Sequence, residues 1–305
     1  MNNEFLLELY SEEIPSKMQP KARKDFLNLF NNLLNEYNIN TNIEVFSSSC
    51  RLILYIKNLP NIIKIITKQK RGPKIDAPEN AINGFLKSVN LDSISDLAQI
   101  DINGVKYYQS EAKTTEVKTI DILKEKLPKL LNDMCNLWPK TMKWTDNPEI
   151  RWIRPLKNIL CLFDGNIVDF EFFGLKSNNK SFGHKILKGN SFTVNSFAEY
   201  REKLRESYVV FDQNEREKII REGLEKSSKE LGFSLYEEDL NIEKPTSMIN
   251  EAIGLTEYPV VLAGKIEDRF MELPKEIIIN TIRINQKYFC LKTKNNDLSN
   301  SLLFV

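Results

Sequence analysis

Helix-period and strand-period segments alternate from one end of this chain to the other, and that order restricts the fold class more than any single motif does. Phe5 to Tyr10 reads as a short strand. Ile14-Pro15 then leads into a helix whose apolar positions Met18, Ala22, Phe26, Leu29, Phe30, Leu33, Leu34 and Tyr37 recur at three- and four-residue steps. Strand-like runs follow near Ile43 to Phe46 and Leu52 to Ile56. Next come a helix from Pro78 to Val89, a hairpin around Asn103-Gly104 and an amphipathic helix from about Val117 to Leu137. Ile159 to Phe163 and Ile167 to Phe173 read as strands joined by the turn Asp164-Gly165-Asn166. Phe197 to Arg205 is a short helix, and Asp212 with Glu215 makes a capping-box start for another that turns Ile219, Ile220, Leu224 and Leu231 inward. Tyr258 to Ala263 reads as a buried strand, and Pro274 opens a helix with Ile277, Ile278, Thr281 and Ile282 on one side.

This order predicts an α+β fold, two mixed lobes with mostly antiparallel sheets and flanking helices. Pro139 and the polar stretch Thr145 to Glu149 mark a joint, giving lobes 1–137 and 138–305 without a Gly/Ser linker. The final Leu302-Leu303-Phe304-Val305 is apolar and strand-like, so the second lobe is expected to be cut short at its C-terminal end.

Charge excludes a general attraction to polyanions. Lys and Arg number 43 against 42 Asp and Glu, so any contact with nucleic acid must be local. Cys50, Cys135, Cys161 and Cys290 are far apart and form no CxxC pair, which points to reduced thiols and a cytoplasmic setting. No apolar run reaches membrane-spanning length, and no membrane partner is expected.

Trp138 to Phe163 holds all three tryptophans beside Lys140, Lys143, Arg151, Arg154 and Lys157. Flat rings next to cations suit stacking on unpaired bases and holding phosphate; equally, the rings fill a core while the cations are solvated. Lys64 to Lys74 is the most basic segment and contains no acid, so it reads either as a phosphate contact or as an edge strand guarded by lysines. His184 is the only histidine, which rules out a two-histidine metal site and leaves a loop or packing role. Glu12-Glu13, if on a strand, would point to opposite faces and could not act as one acid-base couple. No phosphate-cradling glycine loop is present. No catalytic residue and no metal ligand is assigned.

Several motifs carry a resemblance. They are Ser11-Glu12-Glu13-Ile14-Pro15, Arg71-Gly72-Pro73 with Asp76-Ala77-Pro78, Met142-Lys143-Trp144 with Arg151-Trp152-Ile153-Arg154-Pro155, Gly183-His184-Lys185, Glu257 to Gly264, and Gln286-Lys287-Tyr288-Phe289. In that order they resemble the β subunit of bacterial two-subunit glycyl-tRNA synthetase, over rather less than half of a full-length subunit. In that family the chain continues into a metal-less HD-like domain and an anticodon-binding domain. The resemblance implies a ligase subunit that is itself non-catalytic, within an α2β2 assembly in the cytoplasm. An α subunit would bind ATP and Mg2+ and form glycyl-adenylate, while this chain binds no cofactor, grips tRNA(Gly) and supports assembly. Candidate tRNA contacts are Lys70, Arg71, Lys74, Lys143, Trp144, Arg151, Arg154, Arg283 and Lys287.

Three departures limit the transfer. Cys50-Arg51 stands where the family commonly has an Arg pair, Asn285 where it has His, and Thr145 where it has Gly. The alternative is an interaction module that docks the α subunit, with the tRNA contacts in the absent C-terminal half. A stand-alone small-molecule enzyme would require a pocket with convergent carboxylates.

Overall fold

The computed structural model describes residues 3–67, 69–89, 91–143, 151–244 and 247–305. The chain divides into two compact units, Pro60–Ile122 and the combination of Met1–Leu59 with Leu123–Val305. The expected lobes, 1–137 and 138–305, are a different division from this one.

In chain order the larger unit begins with β1 (Phe5–Ser11), α1 (Gln19–Glu36), β2 (Ile43–Ser47) and β3 (Arg51–Ile56). The smaller unit supplies β4 (Ile62–Thr67), β5 (Arg71–Lys74), α2 (Glu79–Ser88), β6 (Ala98–Ile102), β7 (Val105–Gln109) and β8 (Lys113–Lys118). Then follow α3 (Thr119–Leu137), β9 (Leu156–Phe163), β10 (Asn166–Ile167), β11 (Glu171–Phe172), β12 (Leu175–Lys176), β13 (Lys180–Phe182) and β14 (Ser191–Thr193). The remainder is α4 (Phe197–Glu206), α5 (Gln213–Leu231), β15 (Ser234–Leu235), α6 (Met248–Leu255), β16 (Leu262–Lys265), α7 (Lys275–Asn280), β17 (Phe289–Lys292) and β18 (Leu298–Phe304). The named strands pair antiparallel, in agreement with the expected α+β class.

β1 lies third in the five-stranded sheet β10-β9-β1-β3-β2 and is buried along its whole length. Its period-2 alternation therefore serves two cores. Phe5 meets Phe30 of α1, at a ring separation of 5.8 Å, on one face. On the other face Leu6 joins Ile53, Tyr55 and Leu160 under Phe197, Tyr200 and Leu204 of α4. A second core packs α5 and α6 on the sheet β15-β17-β18-β16, with Ile220, Leu224, Ile249, Phe289 and Leu303 at its centre. The smaller unit has its own small core of Ile82, Leu86, Leu97 and Tyr108.

Several local expectations are corrected. Tyr258 to Ala263 is not a buried strand: only Leu262–Lys265 is extended, on the sheet edge beside β18, and Tyr258, Val260 and Leu262 are exposed. Pro259 has no N–H to give a ladder, which confines pairing to the residues after it. Ile167 to Phe173 is not one strand: Asn166–Ile167 and Glu171–Phe172 are separate short strands, and Phe173 at φ 52° ends the second. The helix opened by Pro274 widens into a π turn at Thr281–Gln286, and Ile277 is left exposed. Asp212 caps α5 through Asn214 N–H, but Glu215 turns to Arg205 instead of closing the box. Of the α5 positions expected inward, Ile220 and Leu224 are buried, Ile219 is half-buried and Leu231 is exposed. β1 ends at Ser11, so Glu12 and Glu13 lie beyond the strand and its face rule does not apply to them.

Candidate nucleic-acid interface

Backbone hydrogen bonds bring the scattered motifs together in the larger unit. Glu12 N–H donates to Pro155 O at 2.9 Å, tying the segment after β1 to the Arg-Trp-Ile-Arg-Pro motif. Glu12 Oε1 accepts from Lys157 at 2.5 Å, and Lys185 Nζ reaches Oε2 at 3.4 Å. The hydrogen bond from Lys157 holds the Glu12 carboxyl below the usual carboxylate range, and Glu12 in turn raises Lys185.

Beneath them lies a buried charge cluster. Arg51 is fully buried and donates to Glu8, to Glu257 at 3.0 Å, to Ser181 Oγ at 3.1 Å and to Phe182 O at 2.6 Å. Its guanidinium also lies 4.7 Å from the centre of the Tyr10 ring. Burial lowers the Arg51 pKa, but the charges of Glu257 and Glu8 more than offset it, so the group stays cationic. Glu8 is raised by burial against the pull of Arg51. Because Phe182 directly precedes Gly183-His184-Lys185, this cluster fixes where that turn leaves the sheet. Arg51, which stands with Cys50 where the resembled family commonly has an Arg pair, is therefore a core residue with its donors in use.

Above the cluster is a cleft of about 760 Å3, walled by Glu12, Glu13, Glu251, Lys17, Arg154 and Lys185 among others. A second cleft of about 410 Å3 shares Lys17 and Glu251 with the first and adds Asn280, Arg283 and Lys287. Glu251 is the joint: it accepts from Ser16 Oγ at 2.8 Å, and Lys17 and Lys287 each lie 4.0 Å away.

The expected contacts divide as follows. Arg154, Arg283 and Lys287 come to this paired groove. Arg283 is spent on Asp239 at 2.9 Å and Glu238 at 2.5 Å and lies over the Tyr236 ring, so its positive charge is matched. Arg154 pairs with no carboxylate among the described residues; its guanidinium meets Met142 Sδ at 3.9 Å. Lys143 and Arg151 are exposed, and Trp144 lies outside the described residues. Lys70, Arg71 and Lys74 belong to the smaller unit, where Arg71 lies over the Tyr107 ring at 5.1 Å. Gly72 of the same motif leaves room for Phe85, whose ring would stand 2.4 Å from a Cβ there. Lys64 is held across the β4–β8 ladder by Glu116 at 3.4 Å, which suits the guarded-edge reading of that segment.

Trp138 and Trp152 are core residues, packed edge to face at 5.5 Å, with Trp152 fully buried. They offer no ring to a base. Among the described residues no group of three or more His, Cys, Asp and Glu could hold a metal ion, and no helix is long and apolar enough to cross a membrane. Sequence reasoning missed Lys17 and Glu251, since nothing local marks residues so far apart in the chain as neighbours. It also missed Arg216, which is buried and donates to Ser47 O, Val210 O and Ile253 O at 2.6 to 2.9 Å.

The family model described as glycyl-tRNA synthetase beta subunit matches residues 5–305. The chain belongs to that family. It is similar to proteins named glycine–tRNA ligase beta subunit from Rickettsia felis (40% identity over 305 residues, 99% of this chain), Rickettsia akari (41%, 99%) and Rickettsia prowazekii (40%, 100%). The chain spans 44% of the length of each of these relatives. All of the motifs except Arg71-Gly72-Pro73 with Asp76-Ala77-Pro78 lie in the unit that holds the groove.

Proposed function

We propose that this chain is the non-catalytic, tRNA-binding and assembly part of a glycine–tRNA ligase beta subunit. In this reading an alpha subunit holds ATP and Mg2+ and makes the glycyl-adenylate, and the beta subunit presents tRNA(Gly) to it in a cytoplasmic α2β2 complex. Positioning alone has catalytic value, because an acceptor end held beside the adenylate reacts as if intramolecularly, which is worth several kcal/mol, up to roughly 7–11 for ideal geometry.

The observation that carries the reading is Arg154, a guanidinium with no carboxylate partner among the described residues, standing in the wall of a wide cleft. Its fork of donors suits phosphate oxygens. Of the other cations in the wall, Lys17 lies beside Glu251 and Lys185 beside Glu12, so a phosphate contact here falls to Arg154. Titrating tRNA(Gly) against the chain at several salt concentrations tests this. Arg154→Ala is expected to weaken binding about tenfold and to reduce the salt slope by about one, whereas Arg283→Ala leaves both nearly unchanged. Absence of tRNA binding by the unaltered chain at low salt would overturn the reading.

A further inference from the structure

Lys17 and Lys287 lie far apart in the chain and converge on a single carboxylate. Glu251 Oε1 accepts from Ser16 Oγ at 2.8 Å, which leaves Oε2 to face both ammonium groups, each 4.0 Å away. At that distance neither lysine makes a hydrogen bond to it. Neither has another acidic partner among the described residues, so two cations share one anion and a positive charge is left over. The Glu251 side chain is 15% exposed against 60% for Lys17 and 35% for Lys287, which puts the surplus charge on the solvent side.

The local backbone holds this seam in place. α6, which carries Glu251, lies flush on the single turn Ser16–Met18 that carries Lys17: a Cβ on Gly254 would stand 2.5 Å from Ser16 Cβ, and Gln19 Nε2 donates to Gly254 O at 2.8 Å. Lys287 ends the π turn at φ 62° and ψ 38°, the left-handed region where glycine is the usual occupant and a side chain is strained. Strain of that kind collects at ligand clamps, where the side chain has a use that glycine lacks. Glu251 and Lys17 wall both clefts, Arg154 the first and Lys287 the second. Cations without a full counter-charge therefore succeed one another along the groove, an arrangement that meets consecutive phosphates better than one small anion.

We infer that Glu251 is a resident counter-ion of the groove: it parks Lys17 and Lys287 in the free chain and yields them to the phosphate backbone of RNA, which crosses from one cleft to the other over this seam. The inference rests on the tRNA reading above and adds two phosphate donors and one opposing acid to Arg154. Because both lysines hold Glu251 only through space, little is lost when they turn to phosphate oxygens, which accept the charge-assisted hydrogen bonds that a carboxylate 4.0 Å away does not. The carboxylate stays behind, anchored by Ser16, and repels the phosphate. Glu251 thus weakens binding while Lys17 and Lys287 strengthen it, and these opposite signs separate the role from plain packing.

The test titrates tRNA(Gly) and an unrelated tRNA against the chain at several salt concentrations. Lys17→Gln and Lys287→Gly are each expected to weaken binding of both RNAs about five- to tenfold near 0.1 M salt and to reduce the salt slope by about one, since one condensed counter-ion fewer is released. Lys287→Gly should melt no lower than the unaltered chain, because it relieves the backbone while removing the charge. Glu251→Gln, which can keep the Ser16 hydrogen bond, should tighten binding about two- to fivefold, the worth of an exposed ion pair. The proposal is overturned by lysine variants that keep the affinity and slope of the unaltered chain, or by a Glu251→Gln variant that binds no tighter. If Arg154→Ala still weakens binding, either result leaves the tRNA reading standing; if Arg154→Ala alone has no effect, that reading loses its contact and the seam remains. An unaltered chain that binds no RNA overturns both. Lys17→Gln should also weaken binding in a subunit of the relatives' full length, and no effect there would give the seam to the rest of the chain and overturn the proposal.

Discussion

Arg51 and Glu257 are 206 residues apart in sequence, yet Arg51 Nε stands 3.0 Å from Glu257 Oε1 in the interior. Glu8 takes the other side of the guanidinium, so one buried cation serves two carboxylates. Such a cluster adds little over well-packed apolar side chains, but it is costly to break because the orphaned charges remain buried. Ser48 Oγ also donates to Glu257, and Ser49 O accepts from Ile14 N–H, so the strand turn next to Arg51 reaches the groove wall directly.

Arg51→Ala is therefore expected to destabilise the chain by about 3–5 kcal/mol, measured by urea unfolding. Arg51→Lys should recover little of this, since an ammonium cannot meet Glu257, Glu8, Ser181 and the Phe182 carbonyl from one plane. Adding Glu8→Gln to Arg51→Ala should restore part of the loss, and strict additivity of the two changes would show that the residues act independently.

Asp239 supplies a pH signature. Burial raises its carboxyl to about 6, against the lowering influence of Arg283. With the folded-state value above the ordinary 3.8, its contribution to stability is full below about pH 4 and is lost as pH rises through about 6. Asp239→Asn should therefore show a flatter stability profile than the unaltered chain between about pH 4 and 6, by on the order of 1 kcal/mol. Parallel unfolding curves across that interval would show that Asp239 titrates normally.

The sequence made the sheets and helices legible wherever one period dominated. β1, α1, β3 and α5 follow their apolar patterns, and Asn103-Gly104 forms the expected turn with both residues at positive φ. It misled at Tyr258, Val260 and Leu262, whose apolar run reads as a buried strand although all three are exposed. Candidate contacts were chosen by charge, and charge alone cannot distinguish Arg154, which pairs with no carboxylate among the described residues, from Arg283, which is held by two. That difference is set by partners 44 and 45 residues away in the chain.

Thiol chemistry offers an independent check of the core. Cys50, Cys135, Cys161 and Cys290 are all buried and unpaired. Burial pushes Cys50 up to about 11 and Cys135 and Cys290 up to about 12, and it raises Cys161 as well. A disulfide reagent at pH 8 should therefore find almost no reactive thiol in the native chain and four after denaturation. Rapid modification of any one in the native state would contradict its placement.

Two glycines separate steric closure from simple backbone freedom. Gly104 sits at φ 83° with nothing within 4 Å of where a methyl group would stand, so Gly104→Ala costs only the conformational penalty, about 1 kcal/mol. Gly183→Ala instead drives a methyl to 2.0 Å from Lys188 O and 2.8 Å from Ser207 Cβ, forcing the turn away from α4. Its cost should be larger, about 1–3 kcal/mol, and it should release Lys185 from Glu12 while the Gly104 variant leaves that pair intact. Melting temperature ranks the two, and hydrogen exchange at Ile186 and Leu187 reads the turn directly: protection lost in Gly183→Ala and kept in Gly104→Ala is the expected pattern, and equal protection in both would mean that the turn does not depend on this close approach.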